Sequence, residues 1–354
     1  MSGKMSAQPW IGNRSYDTAF ILLPPFLALF LVALLPASYT QGGSIPIAAW
    51  VIIVLCLDVG HVYSTLFRTY FDSARFRRQR SLYIAIPLVC YIAGVLLYTT
   101  GGWLFWRVLA YTAVFHFIRQ QYGFMRLYSR LEGAPAFSRM IDTITIYAAA
   151  IYPIIYWHFT PGRQFNWFLE GDFLQWNNPF ILKICGWLYL AILTMYAAKE
   201  VYAASSGKTF NIPRNAIIIG TAVSWYFGIV YFNGDLVFTL LNVVSHGIPY
   251  MALIWFTARK DKPTDHHPGD IKRLLLRWYG IGIFLAVILV GAWLEEGLWD
   301  RWVWDGEHLS IFKPFALLPA IGSEGLLVWL VPLLALPQAT HYVLDGFIWR
   351  RKDG

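Results

Sequence analysis

The chain has 354 residues, of which 57% are hydrophobic and only 14% are charged. A soluble domain carries about 25% charged residues and lacks long apolar runs, so this composition excludes an ordinary soluble enzyme. The net charge of +8 is not accompanied by zinc-finger spacing or by a basic groove with interleaved aromatic residues. We therefore attribute the charge to contact with anionic lipid and not to nucleic acid.

Apolar segments long enough to span a bilayer recur along the whole chain. A spanning helix needs about 20 mostly apolar residues. The sequence predicts an all-α, polytopic integral membrane bundle that forms a single domain over residues 1–354. No small-residue cleavage pattern follows the first segment, so we interpret it as a span and not as a signal peptide. About ten spans are predicted, at 18–38, 45–67, 82–100, 103–128, 141–160, 179–203, 215–232, 235–257, 274–296 and 325–349.

The positions of the basic residues predict the orientation of this bundle. If the N-terminus is cytoplasmic, most of the 28 Lys and Arg residues fall in inner loops or at inner helix ends. This is the positive-inside pattern, and a missed span would invert every later loop and destroy it. The sequence thus predicts cytoplasmic N- and C-termini and a multi-pass protein of the cytoplasmic (inner) membrane.

Three loops are longer than the others. The inner loop at 258–273 contains two histidines and is interpreted as a flexible linker. The outer loops at 161–178 and 297–324 mix aromatic and acidic residues, which suits segments lying in the headgroup layer or a lid over a lateral opening. The cysteines show neither CxxC nor disulfide spacing and are predicted to be small core residues. They are Cys56, Cys90 and Cys185.

Four histidines lie in separate apolar segments, and each has a polar residue three or four positions away. Residues at this spacing share one face of a helix. Such side chains are costly in a bilayer, so their recurrence needs a common explanation. The pairs are Asp58 with His61, His116 with Gln120, Asn242 with His246, and His341 with Asp345.

The four histidines are also predicted to lie at similar depth. They occur in the second, fourth, eighth and tenth segments, which all run in the same direction. Each lies seven to 13 residues before the first basic residue on the inner side, which places them in a slab about 9 Å thick. Pro249 and Pro337 lie close to His246 and His341 and predict helix bends that let side chains converge.

These residues predict a metal centre within the membrane. Imidazole commonly binds Fe, Zn and Cu, and carboxylates suit Fe and Mn. Iron is the leading prediction, with zinc, manganese or haem as alternatives. The predicted metal ligands are His61, His116, His246, His341, Asp58 and Asp345. The predicted catalytic residues, which would contact water, substrate or an anionic head group, are Arg119, Gln120, Gln121 and Asn242.

The leading functional hypothesis is oxygenation, hydroxylation or desaturation of a lipid, isoprenoid or carotenoid. Sites built from His and carboxylates on bundled helices often activate dioxygen at iron. Membrane lipids, a lipid-soluble substrate and an electron-donor protein are the predicted partners. The chain has no HExxH motif and no clustered HxxHH boxes. The separation of the histidines onto different helices resembles the layout of integral-membrane carotenoid-cleaving oxygenases, but this resemblance assigns no residue roles.

Three other interpretations stay open at this point. Two facing histidines can ligate haem b in an electron-transfer protein. Polar residues at mid-membrane also mark proton- or ion-coupled transporters, although the chain lacks an inverted repeat. Histidine and asparagine can also serve only as hydrogen-bonding contacts between helices.

Overall fold

The computed structural model describes residues 8–207, 210–260, 272–304, 306, 308–321 and 323–349. Within these ranges, every regular element is a helix. The helices are α1 (Arg14–Leu22), α2 (Pro24–Ala33), α3 (Ala37–Thr40), α4 (Ile47–Arg68), α5 (Ser73–Arg78), α6 (Arg80–Thr100), α7 (Gly102–Tyr128), α8 (Ala136–Phe159), α9 (Pro179–Ser205), α10 (Ile212–Trp225, continued by the π-helical turn Tyr226–Tyr231), α11 (Asp235–Lys260), α12 (Lys272–Leu275), α13 (Gly280–Trp302), α14 (Leu309–Phe312, continued by the 3₁₀ turn Lys313–Leu317), α15 (Glu324–Leu334) and α16 (Leu336–Ile348).

Helices that are long and apolar enough to cross a membrane occur throughout the described residues. Six meet this criterion individually: α4, α6, α8, α9, α11 and α13. Two bent pairs, α1 with α2 and α15 with α16, raise the number to eight if each pair forms one span. The all-helical, multi-pass prediction is therefore confirmed in its coarse form, whereas ten spans and cytoplasmic termini stay predictions.

The fourth and seventh predicted spans do form helices, but they do not meet the same criterion. Helix α7 has 27 residues, which corresponds to about 40 Å and is long enough to cross a bilayer. It also carries Arg107, His116, Arg119 and two glutamines, and these side chains lower its hydropathy. Helix α7 therefore fails the criterion for a membrane span because of its polar composition and not because of its length.

The chain divides into two compact units. The first comprises Met1–Pro46 and Phe117–Pro249, and the second comprises Ile47–His116 and Tyr250–Gly354. The boundaries between them fall inside α7 and α11. The prediction of a single domain over residues 1–354 stays a prediction.

In the first unit, aromatic packing holds the loop at 161–178 in place. Phe165 and Phe173 of this loop are buried against Trp157 of α8, with ring centroids 4.8 and 4.1 Å away. The Asp172 carboxylate accepts hydrogen bonds from three consecutive backbone amides at 2.7–3.2 Å. Burial raises the pKa of Asp172, and the amide hydrogen bonds act in the opposite direction. Phe165 and Phe173 are thus buried in protein, whereas Trp176 of the same loop is 53% exposed.

In the second unit, α13 packs closely against α4. A Cβ atom added to Gly291 of α13 would lie only 2.5–2.8 Å from ring atoms of Tyr63 on α4. The Tyr63 hydroxyl donates a 2.7 Å hydrogen bond to Glu295, one turn after Gly291. Glycine therefore permits an approach that any other residue would obstruct.

Substituting Gly291 by alanine is expected to lower the free energy of unfolding by about 1–3 kcal/mol, because the Tyr63 ring must move out of a packed position. Gly282→Ala on the same helix is the matched control, since nothing lies within 4 Å of its added Cβ. That control should gain up to about 1 kcal/mol through helix propensity. Unfolding by SDS in mixed micelles measures both variants. Equal stability for the two variants would contradict the close approach.

Helix α16 is positioned by a bend and by α6. The bend of 42° falls at Ala335, and Pro337 lies in the first turn of α16, which confirms the bend predicted from this proline. By contrast, α11 continues as a helix through Pro249. Tyr83 and Ile86 of α6 are buried in one cluster with α16. The three cysteines are free thiols and only partly buried, so they are not fully enclosed core residues.

The remaining loop predictions are tested only in part. Most of the predicted loop at 258–273 lies outside the described residues, although α11 extends to Lys260. In the predicted loop segment at 297–324, whose first residues continue α13, Phe312 and Phe315 are buried and pack with α13. Leu317 of the same loop is 90% exposed, so one part of this segment contacts protein and another faces outward.

Candidate metal centre

Three of the four predicted histidines come together in the second unit. His61 lies on α4, His116 on α7 and His341 on α16, and their exposed fractions are 1%, 3% and 2%. One ring nitrogen from each lies within 4.8 Å of the others. The His341 ring is 5.0 Å from the His61 ring and 4.5 Å from the His116 ring, measured between centroids. Segments far apart in the chain therefore supply one cluster of imidazoles.

The two closest imidazoles face each other through their Nε2 atoms. His341 Nε2 lies 3.1 Å from His116 Nε2. Nitrogens about 2.1 Å from one ion are separated by about 3.0 Å at a right angle and about 3.4 Å at the tetrahedral angle. The observed separation therefore suits two ligands of one metal ion. It equally suits one N–H···N hydrogen bond between neutral rings.

The Nδ1 atoms of these rings face oxygen atoms. His61 Nδ1 lies 3.2 Å from the Leu57 carbonyl oxygen, which can only accept a hydrogen bond. This contact assigns the proton to Nδ1 and leaves the lone pair on Nε2. His116 Nδ1 lies 3.6 Å from Asp345 Oδ2. Metal-ligating imidazoles usually present their second nitrogen to a carbonyl or a carboxylate in this way.

The segment before His61 has an unusual backbone. Residues Val51–Val59 of α4 form a π-helix, and Gly60–Ser64 return to the α-helical form. Both Leu57 and Asp58 lie near the end of the π-helical segment. Single π-turns inside helices occur frequently at functional sites. The hydropathy pattern gave no indication of this change in helix type.

Asp345 and Asp58 differ in their relation to the imidazoles. The Asp345 side chain is 9% exposed and accepts a 2.6 Å hydrogen bond from Trp349 Nε1. Asp58 Oδ1 lies 3.8 Å from His61 Nδ1, and its side chain is 38% exposed. Asp345 therefore has the geometry of a carboxylate that orients ligands, whereas the Leu57 carbonyl, and not Asp58, orients His61.

His246 belongs to the first unit. It is 1% exposed, and the Phe117 ring stacks on it with centroids 3.5 Å apart. Gln120 donates a 2.9 Å hydrogen bond to the His246 carbonyl oxygen. The assignment of His246 as a metal ligand stays a prediction from the sequence.

The predicted catalytic amides also lie in the first unit. Gln121 donates to the Ser245 carbonyl at 3.1 Å and accepts from the Thr221 hydroxyl at 3.2 Å, so both ends of its amide are used. Asn242 donates to the Phe238 carbonyl at 2.9 Å. Two buried acceptors, Gln120 Oε1 and Asn242 Oδ1, have no hydrogen-bond donor among the described residues. Buried acceptors of this kind are suited to water or a ligand hydroxyl.

Arg119 contacts tyrosines, although the sequence suggested an acidic partner or a substrate head group. Its guanidinium donates to the Tyr147 hydroxyl on α8. The same group lies 5.0 Å from the centroid of the Tyr122 ring, within the range of a cation–π interaction. Arg119 therefore fastens α7 to α8 within the first unit.

The sequence reasoning missed Glu295. This residue is 4% exposed on α13, and it accepts hydrogen bonds from Tyr63 at 2.7 Å and from Gln338 at 3.2 Å. Tyr63 follows His61 by two positions, and Gln338 precedes His341 by three. One carboxylate thus links two histidine-bearing helices. Two adjacent glutamates in the apolar segment "GAWLEEGLW" were a signal that could have identified it.

Comparison with known proteins identifies no relative. No protein-family model, curated protein or solved structure matches this chain. Function is therefore inferred from the geometry and chemistry of the side chains.

Proposed function

We propose that this protein is an integral-membrane metal enzyme that uses iron and dioxygen to oxidise a lipid-soluble substrate. The observation that carries the proposal is the buried cluster of His61, His116 and His341, in which two Nε2 atoms lie 3.1 Å apart. The proposal assigns the iron to these three imidazoles. His246 and Asp58 are further candidate ligands on the strength of the sequence alone.

The ligand types favour iron over the other metals considered. Thiolates, which select zinc, copper(I) and iron–sulfur clusters, are absent from the imidazole cluster among the described residues. Imidazole and carboxylate donors suit non-haem iron, whose oxygenases keep open coordination positions for dioxygen and substrate. Asp345 would orient His116 and hold the proton on its Nδ1 atom. The cluster's low exposure would keep bulk water away from reactive species.

Haem is supported less well than a compact metal site. Two axial imidazole nitrogens on one haem iron lie about 4 Å apart, with the porphyrin plane between them. His116 Nε2 and His341 Nε2 are separated by only 3.1 Å. This pair leaves too little room for a macrocycle between the rings.

The surroundings of the site favour a lipid-soluble substrate. Most of the surface of α6, which packs against α16 in the second unit, faces outward, and only 17% of its most apolar stretch is buried. A substrate dissolved in the bilayer would reach the helices laterally. In a hydroxylation, one oxygen atom of dioxygen enters the substrate as a hydroxyl group, and the other leaves as water with two electrons from a donor protein and two protons from solvent. Membrane lipids and that donor are the proposed partners.

The proposal is tested with the full chain purified in detergent. Iron is measured by mass spectrometry, and dioxygen uptake is recorded with an electrode after addition of total membrane lipid extract and a chemical reductant. We expect bound iron and lipid-stimulated uptake that His116→Ala abolishes. His158→Ala is the matched control, because this histidine lies on α8 and its Nδ1 atom contacts the Ile154 carbonyl at 2.6 Å. Bound iron without lipid-dependent uptake would contradict oxygenase activity.

A further inference from the structure

The Thr65 hydroxyl lies between a candidate metal ligand and a buried tyrosine. Thr65 Oγ1 is 2.7 Å from His341 Nδ1 and 3.1 Å from the Tyr250 hydroxyl oxygen. The exposed fractions of Thr65 and Tyr250 are 5% and 1%. The Asp345 carboxylate lies close enough to the Tyr250 hydroxyl to interact with it. A chain of hydrogen bonds therefore connects His341 to a carboxylate.

The carboxylate sets the direction of this chain. Asp345 already accepts the indole N–H of Trp349, which can only donate. If Asp345 also accepts from Tyr250, the Tyr250 oxygen accepts from Thr65, and the Thr65 oxygen accepts from His341 Nδ1. The opposite direction would require the carboxylate to donate.

This direction fixes the tautomer of His341. A proton on Nδ1 leaves the lone pair on Nε2, the atom that faces His116 Nε2 at 3.1 Å. Asp345 also lies 3.6 Å from His116 Nδ1. One carboxylate thus acts on two imidazoles, on His116 directly and on His341 through two hydroxyl groups.

We propose that Thr65 and Tyr250 are positioning residues that hold His341 in the tautomer whose Nε2 atom binds metal. This inference rests on the proposed iron centre and deepens it. Neither residue touches the metal or the substrate in this assignment. Because Asp345 accepts the proton of the Tyr250 hydroxyl in this assignment, Tyr250 accepts from Thr65, and Thr65 accepts from His341 Nδ1.

The first test compares Fe²⁺ affinity, measured anaerobically against a competing chelator. Thr65→Val keeps the shape of the side chain and removes the hydroxyl group, so we expect affinity to fall about 10- to 100-fold, as for other outer-sphere partners of ligating histidines. Thr65→Ser restores the hydroxyl and should return affinity close to the wild-type value. Thr69→Val is the matched control, because Thr69 is fully buried one turn later and donates only to the Thr65 carbonyl. Equal affinity for Thr65→Val and Thr69→Val would overturn the inference.

The second test needs no metal. Nitrogen-15 NMR of the metal-free, histidine-labelled protein distinguishes protonated from unprotonated ring nitrogens, and the His341 signals are assigned by comparison with His341→Gln. We expect a protonated Nδ1 atom in the wild type and loss of that preference in Thr65→Val. A protonated Nε2 atom on wild-type His341 would overturn the inference even if iron binds. If the protein shows the expected His341 tautomer but binds no iron, the hydrogen-bond chain is supported and the proposed iron centre is rejected.

Discussion

Purified protein carrying both His116→Ala and His341→Ala is expected to lose its bound iron, with at least about a 100-fold fall in affinity. Removing one outer-sphere partner of a metal site already lowers metal affinity about 10- to 100-fold. This variant removes two proposed ligands whose Nε2 atoms face each other. Iron per chain is measured by mass spectrometry after gel filtration in detergent. His158→Ala controls for the loss of a histidine elsewhere.

Folding must be separated from metal loss in this experiment. Alanine at His116 and His341 opens a cavity among buried side chains, so the double variant is compared with His116→Gln and His341→Gln, which fill more of the space. We expect all of these variants to elute as the wild type does and to lack iron. Iron retained at the wild-type level in a folded double variant would contradict the proposed ligands.

The second large effect is expected from Arg214, which lies at the centre of a buried ion network in the first unit. Its guanidinium contacts Glu132 at 3.0 Å, Asp142 at 3.2 Å and also Glu200. Lys199 pairs with Asp142 and Glu200. Arg214→Met leaves Asp142 and Glu200 with one shared ammonium group and removes the guanidinium that contacts Glu132. Removing one partner of a buried ion pair costs about 3–5 kcal/mol, and we expect a loss of this size in the free energy of unfolding.

A surface arginine provides the control for this prediction. Arg139 on the adjoining α8 is exposed, and among the described residues its guanidinium donates only to the Ala134 carbonyl. Arg139→Met should change stability by no more than about 0.5 kcal/mol. Arg214→Lys keeps the charge but loses the planar fork of donors, so its stability should fall between the wild type and Arg214→Met. SDS unfolding in mixed micelles measures the series, and equal losses for the two methionine variants would contradict the network.

The all-helical fold and part of the histidine cluster could be predicted from local sequence patterns. Long apolar runs predict helices in a membrane because every backbone group must be hydrogen-bonded within its own segment. The similar predicted depth of four histidines favoured their convergence, and three of them, His61, His116 and His341, come together in the second unit. Pro337 likewise predicted the bend before α16, because proline removes an amide donor.

Contacts between distant segments could not be predicted in the same way. Glu295 meets Tyr63 across 232 positions, and this partner depends on how α13 packs against α4. Thr65 shares a helix face with His61, so its spacing alone could have identified it as a neighbour of the cluster. Asp58 was predicted instead because a charged residue in an apolar segment is the stronger signal. The number of spans stays a prediction, because polar residues in α7 lower its hydropathy and remove it from the six to eight helices that are apolar enough to count as spans.

X-ray absorption at the metal edge of the purified full chain tests the central claim most directly. The imidazole cluster predicts bound iron with a nitrogen-rich first shell at about 2.0–2.2 Å and multiple scattering from at least three imidazole rings. That scattering should weaken in His61→Gln and stay unchanged in His158→Ala. A protein that binds no metal, or a metal whose shell shows no imidazole scattering, would contradict the claim that these histidines form a metal centre.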